Sequence, residues 1–187
     1  ATARVGAFAF APDSNDSALL VTLAPGAYTA QASTTSGSGV ALIEAYDADP
    51  ISNEGSRAIN ISTRGFAGTG TDKLIAGFVI NGTASRRMLI RAVGPSLTSF
   101  GVPGTLAQPQ LQLFNGGALQ QTVGAWSTQA NAGEIRSAAI MSGAFTLAEG
   151  SSDAAFVTTL GPGAWTVQVS GLNDTTGTVL VEVYDLP

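Results

Sequence analysis

The sequence contains neither cysteine nor histidine. Without cysteine there are no disulfides and no thiolate metal sites, so a folded form has to be held by packing and sheet hydrogen bonds. Without histidine the commonest general base is missing, and with it any Ser-His-Asp set. A Ser-Lys pair would have to use the single lysine, Lys73, and no spacing around it supports one. Charge is also scarce: Asp, Glu, Lys and Arg make up 11% of the 187 residues, against roughly 25% in an ordinary soluble domain. The net charge of −5 disfavours nucleic acid as a partner, because phosphate binding needs a basic face. The longest apolar runs, such as residues 74–80, fall far short of the roughly 20 residues that carry a helix across a bilayer.

What is present is a chain that is 44% hydrophobic, enough to bury a core, and rich in Gly, Ala, Ser and Thr. Such a composition suits an extracellular or assembled protein. The opening Ala-Thr-Ala, with no basic start leading into an apolar stretch, has the form of a mature chain after a signal peptide is cleaved. Export to the cell surface or medium is therefore expected. Charge falls in blocks: residues 1–54 sum to −5, residues 55–133 to +5 and residues 134–187 to −5. That layout favours contact between copies of one chain, although a sparsely charged sequence can also produce it by chance.

An internal repeat organises the chain. Gly6-Ala7-Phe8 recurs as Gly143-Ala144-Phe145. Leu23-Ala24-Pro25-Gly26-Ala27-Tyr28-Thr29 recurs as Leu160-Gly161-Pro162-Gly163-Ala164-Trp165-Thr166. After a one-residue slip, Leu42-Ile43-Glu44-Ala45-Tyr46-Asp47 returns as Leu180-Val181-Glu182-Val183-Tyr184-Asp185. Of the 42 positions from 6 to 47, 20 are identical in the two copies. In the second copy Trp165, Val167 and Val169 alternate with Thr166, Gln168 and Ser170, the period of a strand with one buried face. Four strands are expected per copy, at 7–10, 18–23, 28–33 and 40–46 in the first. The Pro-Gly turn predicts that residues 18–33 and 155–170 are β-hairpins.

Between the copies, residues 58–63, 73–80, 86–93, 110–114 and 118–123 read as strands bounded by turn signals such as Asn81-Gly82 and Asn115-Gly116-Gly117. Residues 132–141 read as the one short helix, with Asn131 and Glu134 at its start. The expected fold class is all-β, built of antiparallel, jelly-roll-like β-sandwich units. The expected organisation is a partial module at 1–49, a linker at 50–57 and a complete sandwich at 58–187. A piece of 49 residues without disulfide or metal rarely buries enough surface to stand alone, so the first copy has to pack on the second unit or be completed by another chain.

Two resemblances rest on these residues. The run from Phe156 through Gly161-Pro162-Gly163-Ala164-Trp165 to Gly171, with Leu180-Val181-Glu182-Val183-Tyr184-Asp185, resembles bacterial pre-peptidase C-terminal domains, which implies a small secreted β-sandwich. The wider run, with Ile59-Asn60-Ile61-Ser62-Thr63-Arg64-Gly65, Leu74-Ile75-Ala76-Gly77-Phe78-Val79-Ile80 and Leu89-Ile90-Arg91-Ala92-Val93-Gly94-Pro95-Ser96-Leu97, resembles modules recurring in tandem in large bacterial cell-surface proteins. The resemblance implies fold and location; it brings no activity with it.

An incomplete sandwich offers an edge and an apolar face to a neighbour's strand, and a head-to-tail contact that does not close makes a filament. The first expectation is therefore a structural subunit, not an enzyme, that polymerises with itself. Its contact residues would be Ala7, Phe8 and Phe10, Arg87 and Arg91, and Val179, Val181 and Val183. The competing readings are a monomer whose modules pack together and a polysaccharide-binding module using Trp126. Trp165 and Tyr28, repeat equivalents on alternating strands, read as core instead.

Other candidates have plainer explanations. Glu44 and Glu182 could pair as glycosidase carboxylates, but duplication explains them, each exposed or bridged to an arginine. Asp13, Asn15 and Ser17 have the spacing that opens a calcium loop, but no bidentate Glu follows, so an Asx turn is the better reading. Residues 65–73 are Gly-rich yet fit no phosphate-binding pattern. Asn15, Asn60, Asn81 and Asn173 begin Asn-X-Ser/Thr triplets. No cofactor and no metal is implied.

Overall fold

A computed structural model describes residue 5, residues 7–49 and residues 57–187. Gly6 of the first repeat motif and residues 50–56 of the expected linker lie outside the described residues. The chain divides into two units, Ala1–Ala58 and Ile59–Pro187.

The second unit holds eight strands: β1 (Asn60–Ala67), β2 (Leu74–Ile80), β3 (Arg86–Val93), β4 (Pro109–Asn115), β5 (Ala118–Val123), β6 (Ala154–Leu160), β7 (Gly163–Gly171) and β8 (Gly177–Asp185). They form two four-stranded sheets ordered β1-β8-β3-β6 and β2-β7-β4-β5, with every ladder antiparallel. That is the strand order of an eight-stranded jelly roll, in which two sheets pack face to face. The alternation read from the sequence sets the inner faces. Trp165, Val167 and Val169 of β7 meet Ile90, Ala92, Phe156, Val179, Val181 and Val183 of the other sheet in one buried core.

The outer face of the β1-β8-β3-β6 sheet is covered as well. Helix α1 (Ala132–Ser142), where the sequence places it, buries Ile135 and Ala138 against Leu89, Val93 and Ala155 of that sheet, together with Trp126, Leu147 and Tyr184. The unit thus has three layers and two cores, which is why β3 is buried on both faces over most of its length. Among the described residues no helix is long and apolar enough to cross a membrane.

Three expectations about the repeat need correction. Residues 155–170 do not form a hairpin: the Gly161-Pro162 turn carries the chain from β6 in one sheet to β7 in the other. A tight turn fixes the reversal but not the hydrogen bonding, so the chain arches across the core. The strand expected at the start of each copy is also absent, and residues 144–147 run irregularly beside α1.

More consequentially, residues 7–49 contain no strand at all. The second copy explains why. Its β6 pairs with β3, its β7 with β2 and β4, and its β8 with β1 and β3. No strand of the copy pairs with another strand of the same copy. The repeat is a closing segment, and its backbone groups are satisfied only by the scaffold β1–β5; a strand without a ladder partner is not stable in water.

Candidate functional site

The closing segment meets the scaffold at two buried polar centres. In the first, Arg91 of β3 stands directly opposite Glu182 of β8 and is fully buried. Its Nε donates to Glu182 Oε2 at 2.8 Å, its Nη2 donates to the same oxygen, and its Nη1 donates to the Phe145 carbonyl at 2.6 Å. Tyr184 donates its hydroxyl to the other carboxylate oxygen at 2.7 Å. The guanidinium lies 4.4 Å from the Phe145 ring centre and 5.7 Å from that of Tyr184. Burial, reinforced by the hydrogen bond to Glu182, pushes the Tyr184 hydroxyl well above the ordinary tyrosine value. A buried charge pair is tolerable only when its remaining donors and acceptors are satisfied; here Phe145, Glu182 and Tyr184, all from the second repeat copy, do that for Arg91.

In the second centre Asp153, also fully buried, caps the turn after β3. One carboxylate oxygen accepts the backbone N–H of Gly94 at 2.8 Å and of Ser96 at 3.3 Å. The other accepts the hydroxyls of Ser96 and Ser151. Ser96 Oγ in turn accepts the Ala148 N–H at 3.1 Å. Gly94 is required there by space: a Cβ would stand 2.0 Å from the Leu106 carbonyl oxygen.

Both centres hold parts of the fold together; neither leaves a reactive group open to a substrate. Two exposed pairs complete the cover layer. Arg87 donates to Glu134 on α1 at 2.6 Å, and Arg136 donates to Glu149 with both nitrogens at 2.6 and 2.7 Å. The hydrogen bonds from these arginines hold Glu134 and Glu149 below the usual carboxylate range. Among the described residues no three Asp or Glu side chains gather to hold a metal ion.

The expected site residues are thus distributed unevenly. Trp126 is buried against α1 and donates its indole N–H to Ser151 at 3.1 Å, so it offers no stacking platform. Arg87 and Arg91 do share a face of β3, but Arg91 is sealed under the cover layer. Val179, Val181 and Val183 lie between the sheets. Only Phe8 and Phe10 are exposed large side chains, with Ala7 partly buried beside them.

The exposed apolar residues of the first copy form a pattern that follows the repeat. Leu19, Leu23, Tyr28 and Ile43 are repeat equivalents of Phe156, Leu160, Trp165 and Val181, all buried in the sandwich core, yet they are 85%, 52%, 58% and 56% exposed. Polar groups match too: Ser14, Asp16, Glu44 and Tyr46 correspond to Ser151, Asp153, Glu182 and Tyr184. Sequence reasoning named Tyr28 and Glu44 as repeat equivalents, the first as core and the second as exposed or bridged to an arginine, but did not single out Ser14, Asp16 or Leu19, although the repeat alone contains the signal. The calcium-like spacing of Asp13, Asn15 and Ser17 masks Asp16, the acid of that loop that both copies keep.

No family model matches the chain, and no curated protein matches it. Among solved structures it is similar to the pre-peptidase C-terminal domain of collagenase from Bacillus anthracis, at 15% identity and a TM-score of 0.36, covering 67% of this chain and 89% of that one. That is a distant and partial likeness to a β-sandwich module.

Proposed function

We propose that this chain is a non-catalytic structural subunit of an extracellular filament or surface array, joined to neighbouring units by β-strand complementation through residues 7–49. One observation carries the reading: those residues repeat the closing segment of the jelly roll, remain without strands, and leave their apolar side chains in water. Burying a side chain the size of Leu or Ile contributes about 1.5–3 kcal/mol, so the large residues of this copy together favour association once a partner supplies ladder hydrogen bonds. The acidic first block of sequence and the basic middle block suit such a contact. The burial of Trp126 weighs against a polysaccharide-binding role.

The test is negative-stain electron microscopy of the full chain beside residues 59–187. Filaments or ordered arrays are expected from the full chain alone; uniform single particles from both would contradict the reading.

A further inference from the structure

We infer that residues 7–49 are built to complete a sandwich with a β1–β5 segment of a neighbouring polypeptide unit, one with an arginine at the Arg91 position and a glycine at the Gly94 position; of those five strands only β4 and β5 pair with each other, so the sheets form together with the closing copy. The inference rests on the reading above and names what the first copy binds.

The match runs residue by residue. Arg91 needs a ring and a carbonyl, supplied by Phe145, and a carboxylate with a tyrosine beside it, supplied by Glu182 and Tyr184. The first copy has Phe8, Glu44 and Tyr46 at those positions. The turn at Gly94 needs an aspartate with a serine two residues before it, supplied by Asp153 and Ser151; the first copy has Asp16 and Ser14. Two of these local contacts already exist in the unpaired copy. Tyr46 donates to Glu44 Oε1 at 3.0 Å, as Tyr184 does to Glu182. Tyr28 donates to the Ala24 carbonyl at 2.8 Å, as the Trp165 indole does to Gly161 at 3.0 Å. The unpaired copy therefore carries part of the bound arrangement before a partner arrives.

The scaffold on this chain is filled by its own residues 143–187, and the sequence shows why that copy wins. Val167, Val169, Val179 and Val183, all buried, are matched by Ala30, Ala32, Ala41 and Ala45 in the first copy. Smaller side chains leave unfilled core volume, so the first copy closes a scaffold less tightly. Between copies of this chain the contact therefore requires the neighbour's scaffold to be open, with its own residues 143–187 displaced or not yet docked.

Register makes this testable in a chain without native cysteine. Thr178 faces Phe66 across the β8–β1 ladder, and the repeat equivalent of Thr178 is Val40. Directly opposed residues lie within disulfide range. The acceptor is the full chain with both closing segments disabled by Asp16→Ala, Glu44→Ala, Asp153→Ala and Glu182→Ala, and with Phe66→Cys. The donor is the full chain with Val40→Cys. Mixing under mild oxidation is expected to give a heterodimer on a non-reducing gel, linked by a disulfide between position 40 of the donor and position 66 of the acceptor. Its yield is expected to fall about tenfold or more when the donor also carries Asp16→Ala and Glu44→Ala.

Absence of that heterodimer would overturn the inference, and cross-linking by a Thr178→Cys donor alone would show that only residues 143–187 exchange. A yield indifferent to Asp16 and Glu44 would overturn it too. Failure of the unmodified chain to assemble would count against the proposed function but leave this capture to be judged on its own result.

Discussion

Tyr46 donates its hydroxyl to Glu44 at 3.0 Å in a segment that has no strands, and the contact duplicates the one Tyr184 makes with Glu182 at 2.7 Å beneath the cover layer. In the second copy the pair receives Arg91; in the first it is exposed. The same four-residue pattern, Glu-x-Tyr-Asp, thus occurs once as a completed buried centre and once as its unoccupied half.

Removing one partner from the buried pair leaves the other charge uncompensated. Glu182→Ala and Arg91→Ala are each expected to lower the stability of the sandwich by about 3–5 kcal/mol, read from urea unfolding of the whole chain. Glu44→Ala is expected to leave the unfolding midpoint unchanged at concentrations where the chain is monomeric, and Glu149→Gln, in an exposed pair, to shift it little.

The turn after β3 should be equally intolerant. Gly94→Ala drives a Cβ into the Leu106 carbonyl, and a loss of more than about 3 kcal/mol is expected, at the severe end of single-substitution effects. Asp153→Ala leaves the buried N–H groups of Gly94 and Ser96 without their acceptor and should cost more than about 2 kcal/mol; Asp16→Ala in the same assay should be silent.

Stability should decline at alkaline pH through Tyr184. Its hydroxyl pKa is raised in the fold by burial and by the hydrogen bond to Glu182, so the unfolded chain releases that proton first, near pH 10. The contribution is full below about pH 10 and is lost as pH climbs towards the folded value. Urea midpoints measured from pH 8 to 11 should fall more steeply for the native sequence than for Tyr184→Phe. At the acid end the sign reverses. Glu134 and Glu149 have lowered values, so their contribution is present above the ordinary carboxylate range and fades as pH drops below it.

Leu19→Ser with Ile43→Ser changes two exposed side chains of the first copy. Differential scanning calorimetry should find the transition of the 59–187 unit unmoved, while light scattering should report loss of self-association.

Much of the jelly roll is written locally. The strands at 86–93 and 118–123 fall where alternation and turn residues place them, and α1 extends one residue beyond its sequence boundary. What local pattern cannot encode is the partner of each ladder. Gly161-Pro162 reads the same whether the chain folds back on one sheet or crosses to the other, so the sequence predicts a hairpin where the structure has an arch. The first copy has the apolar alternation of strands, yet alternation specifies a face to bury and not the neighbour that covers it. Trp126 reads as free because it lies outside the repeat; its burial depends on α1 and Ser151, contacts made only after the chain has folded. The Arg91–Glu182 pair is within reach of sequence reasoning, since a carboxylate inside an apolar strand calls for a cation, but choosing Arg91 requires the register of β3 on β8.

The most direct measurement is hydrogen–deuterium exchange of the full chain, dilute and assembled, followed at the amides of residues 18–23, 28–33 and 40–46. Complementation predicts rapid exchange of these amides in the dilute chain and strong protection in the assembled one, while β1–β5 stay protected in both. Continued rapid exchange in the assembly, or protection already complete at dilution, would contradict it.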